Sequence, residues 1–385
     1  VTEWKIYLRD NNYLTQGEID DYENATFTTV FNDIGSWKLV IDARSPIVGM
    51  LANPNWGILI TRDGVQAFSG IWVNFRFIRG EDQWNVEFEG VTDEVWLVSR
   101  IVSPSPTESS APYTVQASDV RTGVASTVVQ AYVNVNLGPG AVPARRKNAF
   151  TLAADPNTGF TVKGEARWDS DLLAFIQPLA TTGGIGFRVV QVGAGIQFQT
   201  YWPGDKSASV KYSVDLGNLE SYEFTRGRPK GNYFFIGASG TGVSRIIKEV
   251  ADSPALATWE RIEGQLVNVS STSDTTVITQ AGTDAIAQNG EEVSLAFSPI
   301  EIPDMQYLVH YNVGDKISAQ LVGPLPTPYG ADGLVVDVVR QVEVSLQKDS
   351  QTVTPSFGTP SRGQISRLVK AFQQANVRLN NLERA

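Results

Sequence analysis

Residues 56–91 read WGILITRDGVQAFSGIWVNFRFIRGEDQWNVEFEGV, the grammar of antiparallel strands joined by tight turns. Asp63-Gly64 stands between two apolar runs, and both positions of that dipeptide tolerate positive φ, which predicts a tight hairpin. From Ile71 the side chains alternate strictly: Ile71, Val73, Phe75 and Phe77 point one way, Asn74 and Arg76 the other. After a turn at Gly80 to Gln83, Trp84, Val86 and Phe88 alternate with Asn85, Glu87 and Glu89. One face of this sheet is buried, and the other is wet or meets a neighbour.

The composition extends that reading to the whole chain. Nine Trp, 12 Tyr and 17 Phe stand beside 34 Gly and 19 Pro, which favours many short strands and turns over long helices. The 385 residues exceed one ordinary core, so two or more are expected. With 42% hydrophobic and 19% charged residues, those cores can be normal ones. The absence of Cys removes disulfides, thiolate nucleophiles and Cys-based zinc sites together. A net charge of −10 argues against a sequence-independent grip on nucleic acid, which needs clustered Lys and Arg. The opening VTEWKIYLRDNN has no basic region before an apolar core, and no run is apolar enough to span a bilayer, so the expectation is a soluble cytosolic product with no membrane segment.

Along the chain, strands are expected at Trp4 to Leu8 and Ala25 to Ile41, the latter a pair turning at Gly35. VSPSPTESSAPY (102–113) loses all periodicity and reads as a linker. A helix is expected over Ala117 to Tyr132, followed by LGPGAVPARRKN, whose Arg145-Arg146-Lys147 reads as a solvated turn rather than an anion site. GFTVKGEA, an amphipathic Asp169 to Leu179 and IGFRVVQVGAGIQFQTYW suggest an α+β module. A strand pair follows to about residue 250, then a helix over Thr275 to Gln288, and strands resume with YLVHYNVGDKISAQL. The last β-rich stretch, GLVVDVVRQVEVSLQKDSQTVTPSFG, repeats the grammar of residues 57–91, through internal duplication of a small barrel or through shared β grammar alone.

From Gly363 to Ala385 the repeat changes to steps of three and four: Ile365, Leu368, Phe372, Ala375, Leu379 and Leu382. So short a heptad seam needs a partner chain or a groove on its own domain. These six residues are the candidate subunit or partner interface.

Chemistry is harder to find. His310 is the only histidine, so a two-histidine zinc motif is impossible, and a Ser-His-Asp triad would rest on a residue in an alternating, strand-like run. GASGTG (237–242) lacks the Lys-Ser/Thr of a phosphate loop and reads as a hairpin turn. Asp20-Asp21, Asp93-Glu94 and Glu291-Glu292 lie beside turn signals and read as solvated faces, although two carboxylates about 5–10 Å apart are all a glycosidase requires. No catalytic, cofactor-binding or metal-binding residue is implied, and the expectation is a protein that is not an enzyme.

Taken in order, GSWKLVID (35–42), LITRDGVQAFSG (59–70), the WVNFRFIRG/WNVEFEGV pair, VGDKISAQL (313–321) and VVRQVEVSL (338–346) resemble siphophage minor tail proteins that form the tail-tip hub, a group similar in fold to the T-even baseplate hub. The resemblance implies a β-rich, multidomain α+β protein with two small tube-type β-barrels. Its domains would be 1–105 as the first barrel, 106–220 as an outer α+β domain, 221–250 with 307–357 as a discontinuous second barrel, 251–306 as an inserted segment and 358–385 as the terminal helix. It also implies a homotrimeric, pseudo-sixfold ring that joins the tail tube or distal tail protein to downstream tip and receptor-binding proteins. Such a ring belongs to the virion, assembles in the host cytoplasm and lets genome DNA pass without specific binding; a negative lumen would keep that DNA from adhering. The rival readings are a distal tail ring protein, a carbohydrate-binding receptor protein that stacks sugars on exposed Trp and Tyr, and a glycosidase.

Overall fold

A computed structural model describes residues 3–81, 84–168, 170–269, 272–322, 333–348 and 350–358. The chain divides into two compact units, a larger one from Val1–Ser221 with Phe297–Ser356 and a smaller one from Tyr222–Ala296.

The larger unit begins with β1 (Trp4–Arg9), β2 (Thr15–Glu18), β3 (Tyr22–Val30), β4 (Ser36–Asp42), the short helix α1 (Pro46–Leu51), β5 (Gly57–Arg62), β6 (Val65–Arg79) and β7 (Trp84–Thr92). These strands pair in the order β2-β1-β5-β6-β7-β4-β3. Asp63 (φ 50°) and Gly64 (φ 80°) turn β5 into β6, with Arg62 opposite Val65, as the sequence predicts. In β4, Trp37, Leu39 and Ile41 are buried while Ser36, Lys38, Val40 and Asp42 are not. Gly90 is required opposite Trp37, because a Cβ there would lie 2.2 Å from the indole Nε1, which donates to the Ile71 carbonyl. The alternation expected from Ile71 is broken by a register shift between Trp72 and Asn74, a bulge that re-aims the outer half of β6 and leaves Phe77 exposed.

Next come α2 (Val95–Val98), β8 (Asp119–Val124), α3 (Ala125–Asn136), β9 (Phe150–Leu152), β10 (Thr161–Ala166), α4 (Leu172–Gly183), β11 (Gly186–Gln191), β12 (Ile196–Tyr201) and β13 (Lys211–Ser213). Helix α3 starts later than the sequence suggests because Asp119–Val124 pairs as a strand with β10. Helix α4 is capped by the Asp171 carboxylate, which accepts from the Ala174 N–H at 2.9 Å, and closes on Gly184 at φ 68°. Val129, Tyr132 and Val133 of α3 meet Leu172, Ile176 and Ala180 of α4 in a core that also takes in Phe187 and Phe198. Val102 to Pro106 is buried against this module, and the Ser103 N–H is bonded to Asn136, so the Ser/Pro stretch is no free tether at its start.

β14 (Leu219–Gly227) leads into the smaller unit, which continues with β15 (Tyr233–Gly237), β16 (Ile247–Ala251), α5 (Ser253–Trp259), β17 (Val267–Asn268), α6 (Thr275–Asn289) and β18 (Glu292–Pro299). Its small core packs Phe234, Ile236 and Ala238 against Ile278 and Ala285 of α6.

The chain returns to the larger unit through β19 (Lys316–Gln320), β20 (Leu334–Gln347) and β21 (Ser350–Gly358). Val342, Val344 and Leu346 are buried, alternating with Glu343 and Ser345 as expected. The destination of β20 differs from expectation: it pairs with β3 from Gln341–Val30 to Gln347–Asn24 and so extends the N-terminal sheet. Among the described residues no sheet closes into the expected tube-type barrels. Instead β20 pairs with β19 through its first half and with β3 through its second, which joins the returning strands to the N-terminal sheet.

Candidate functional site

A buried polar site in the larger unit lies where the N-terminal sheet meets the α+β module. Arg9 ends β1 with its side chain fully buried, and its two terminal nitrogens donate to the Asp93 carboxylate at 2.7 and 2.9 Å. Asp93 also accepts from the Ser69 hydroxyl at 2.7 Å. Arg9 lies 5.0 Å from the Tyr13 ring centroid and reaches the Gln191 side-chain oxygen at 3.3 Å, while the Gln191 amide donates to the Tyr13 carbonyl at 2.7 Å. Next to Asp93, buried Glu94 accepts the Val189 N–H of β11 at 2.8 Å, and burial raises its pKa to about 7. Asn32 ties β11 a second time, donating to the Ile185 carbonyl and accepting from the Phe187 N–H.

A second buried bridge joins β5 to the returning segment. Arg62 donates to both Glu301 oxygens, at 2.9 and 2.5 Å, and to the Tyr307 carbonyl at 2.9 Å, and its guanidinium lies 5.3 Å from the Trp4 ring. Both arginines hold their carboxylates bidentately, Asp93 fully buried and Glu301 17% exposed, which fixes the geometry of each pair.

The other face of the N-terminal sheet carries polar rows that cross five strands. One runs Ser345, Thr26, Lys38, Glu89, Asn74, and the next Gln347, Asn24, Val40, Glu87, Arg76. Here Lys38 and Arg76 converge on Glu87, at 2.6 and 2.8 Å. Beyond the rows the β6–β7 hairpin exposes Phe77 and Trp84, with Arg79 5.4 Å from the Trp84 ring.

The sequence candidates scatter. His310 sits in a turn rather than a strand, its Nδ1 accepting the Gln306 N–H at 3.0 Å. GASGTG forms the turn between β15 and β16, as expected. Asp20 and Asp21 are exposed. Asp93-Glu94, expected on a solvated face, is instead the heart of the buried junction. In the third pair, Glu291 accepts from Arg226 and from the Trp259 indole, and the arginine holds its pKa down. The basic run is also more built than a solvated turn. Lys147 lies 4.2 Å from the Trp96 ring and 5.3 Å from Tyr13, and burial lowers its pKa to about 8. Ile365, Leu368, Phe372, Ala375, Leu379 and Leu382 lie outside the described residues. The buried junction left no mark in the sequence beyond a bulky, mixed-charge neighbourhood around residue 93. Among the described residues no helix is long and apolar enough to cross a membrane.

A family model described as Siphovirus ReqiPepy6 Gp37-like protein matches residues 3–359. The chain belongs to this family. Solved structures share the Gp37-like fold. The tail protein from Neisseria meningitidis MC58 is 13% identical, with 92% of this chain and 96% of that chain covered at a TM-score of 0.54. The 43 kDa tail protein of prophage MuSo2 from Shewanella oneidensis is 10% identical, with 92% and 98% covered at a TM-score of 0.56. At these identities the likeness is one of fold. No curated protein matches the sequence.

Proposed function

We propose that this Gp37-like protein is a structural subunit of a phage tail tip, a homotrimeric hub that joins the tail tube or distal tail protein to downstream receptor-binding proteins. The observation that carries the reading is a fold shared with solved tail proteins over nine-tenths of the chain, within a siphovirus family. The polar rows suit a wall past which DNA slides. Lys38 and Arg76 share Glu87 within the chain and Glu89 stands opposite Lys38, so two carboxylates balance the two cations that would otherwise hold phosphate. With no sheet closed among the described residues, ring closure falls to contacts between copies. In this reading residues 1–105 supply the first tube-type unit, 106–220 face outward, and 221–250 with 307–357 build the second tube-type unit around 251–306. The helix bearing Ile365, Leu368, Phe372, Ala375, Leu379 and Leu382 stabilises the trimer.

Light scattering of the pure full-length protein tests this. A particle of three chain masses is expected, with weaker association once residues 363–385 are deleted. A stable monomer or a hexamer overturns the trimer, and the hexamer would favour a distal tail ring.

A further inference from the structure

We propose that the larger unit also carries a saccharide-binding pocket, a role independent of the assembly reading. A cavity of about 290 Å³ opens between β3, β11, the end of β12 and the returning segment at 307–315. This is the lower end of the range for ligand sites, about 300 Å³, and suits one ring-sized ligand rather than a long peptide. Six residues that line it supply what a sugar ring needs: Glu94, Arg188, Tyr201, Trp202, Asn312 and Asp315.

Trp202 is the platform. It is 51% exposed, and Phe160, 64% exposed, stands edge-on to it at 5.8 Å between centroids. Phe160 braces the indole from its edge and leaves a ring face on which the C–H face of a pyranose can stack. The polar groups are held in place. Asp315 accepts the Gly204 N–H at 2.7 Å with one oxygen and the Asn312 N–H at 2.9 Å with the other, which fixes the carboxylate plane. Arg188 lies 5.4 Å from the Tyr201 ring and donates its Nε–H to Gln199 at 3.0 Å, leaving its terminal N–H groups to meet hydroxyls. Glu94 lies at the buried side, tied at one oxygen to Val189.

The same groups select against other ligands. An apolar ring would leave the terminal N–H groups of Arg188 unpaired, and the Asp315 carboxylate in the same cavity offsets the pull of that guanidinium on an anion. An uncharged polyol ring satisfies both the platform and the polar groups. A free monosaccharide and the end of a surface glycan present that same chemistry.

The experiment has two arms on the full-length protein. Isothermal titration with glucose, galactose, N-acetylglucosamine and rhamnose probes the free ring, and a glycan array probes the polymer end. Saturable binding on either arm is expected, weakened about tenfold or more by Trp202→Ala and by Arg188→Ala. It should be unchanged by Trp168→Ala, an exposed indole outside the cavity. Thermal melts of each variant separate lost binding from lost fold. Binding on the array alone assigns the source to glycan ends; competition by free sugar assigns it to the ring itself. No saturable sugar on either arm, or binding that survives Trp202→Ala, overturns the proposal, as does sugar-independent self-association through this surface.

Discussion

Arg9 and Asp93 have no exposed side-chain surface, whereas Lys38 and Arg76, on the polar rows of the same sheet, keep 40% and 61% of theirs. Residue types and contact distances are nearly the same in the two places. The difference is water. At the junction the pair is shut away from solvent, so it would leave an uncompensated charge if halved. On the rows, solvent screens the cations and replaces any partner that is lost. Ion pairs of equal geometry therefore have unequal consequences, and the contrast can be measured.

The largest effect is expected at the junction. Asp93→Ala strands the Arg9 guanidinium in a buried site and should cost about 3–5 kcal/mol in denaturant unfolding. An Arg9→Met/Asp93→Leu double variant should recover much of that loss, since it removes both charges and keeps apolar volume. A cost for Asp93→Ala no larger than about 1 kcal/mol would mean that water reaches the pair, and the contrast would collapse.

Glu94 sharpens the same contrast through pH. Its folded pKa of about 7 lies above the ordinary 4.5 because burial penalises the charged form. Between these values the folded chain holds a proton that the unfolded chain has lost, so stability must fall as pH rises through this window. The cost, of the order of 3 kcal/mol, is complete above the folded pKa and absent below the unfolded one. Urea melts from pH 4.5 to 7.5 should show the decline, and Glu94→Gln should flatten it. A profile that is the same in both proteins would place the titration elsewhere.

The two regions were not equally legible. Period-two alternation exposes a sheet with one polar face, so the rows at Lys38, Glu87 and Arg76 could be read from spacing, as could the Asp63-Gly64 turn. The junction could not. Asp93-Glu94 follows a strand and forms a turn, which locally looks like solvent, and only the arrival of Arg9 at Asp93 and of β11 at Glu94 buries it. The same holds for Lys147, whose aromatic partners come from residues 13 and 96. The open sheet was missed for a related reason: strand grammar says that β20 is a strand and is silent on whether it closes on its neighbours or joins β3.

The smallest effect, and the finest test, is on the rows. Lys38→Ala and Arg76→Ala should each cost no more than about 1 kcal/mol, because solvent compensates an exposed cation. Glu87 is different from both partners: only 6% of its side chain is exposed, so it depends on at least one of them. Either single variant leaves it one cation, and the double variant leaves it none. The double cost should therefore exceed the sum of the singles by about 0.5–1 kcal/mol in a double-mutant cycle. Strict additivity would mean that Glu87 is hydrated well enough to need neither. In that case the rows are a loose polar surface and the argument for a cation-neutralised channel wall loses its physical basis.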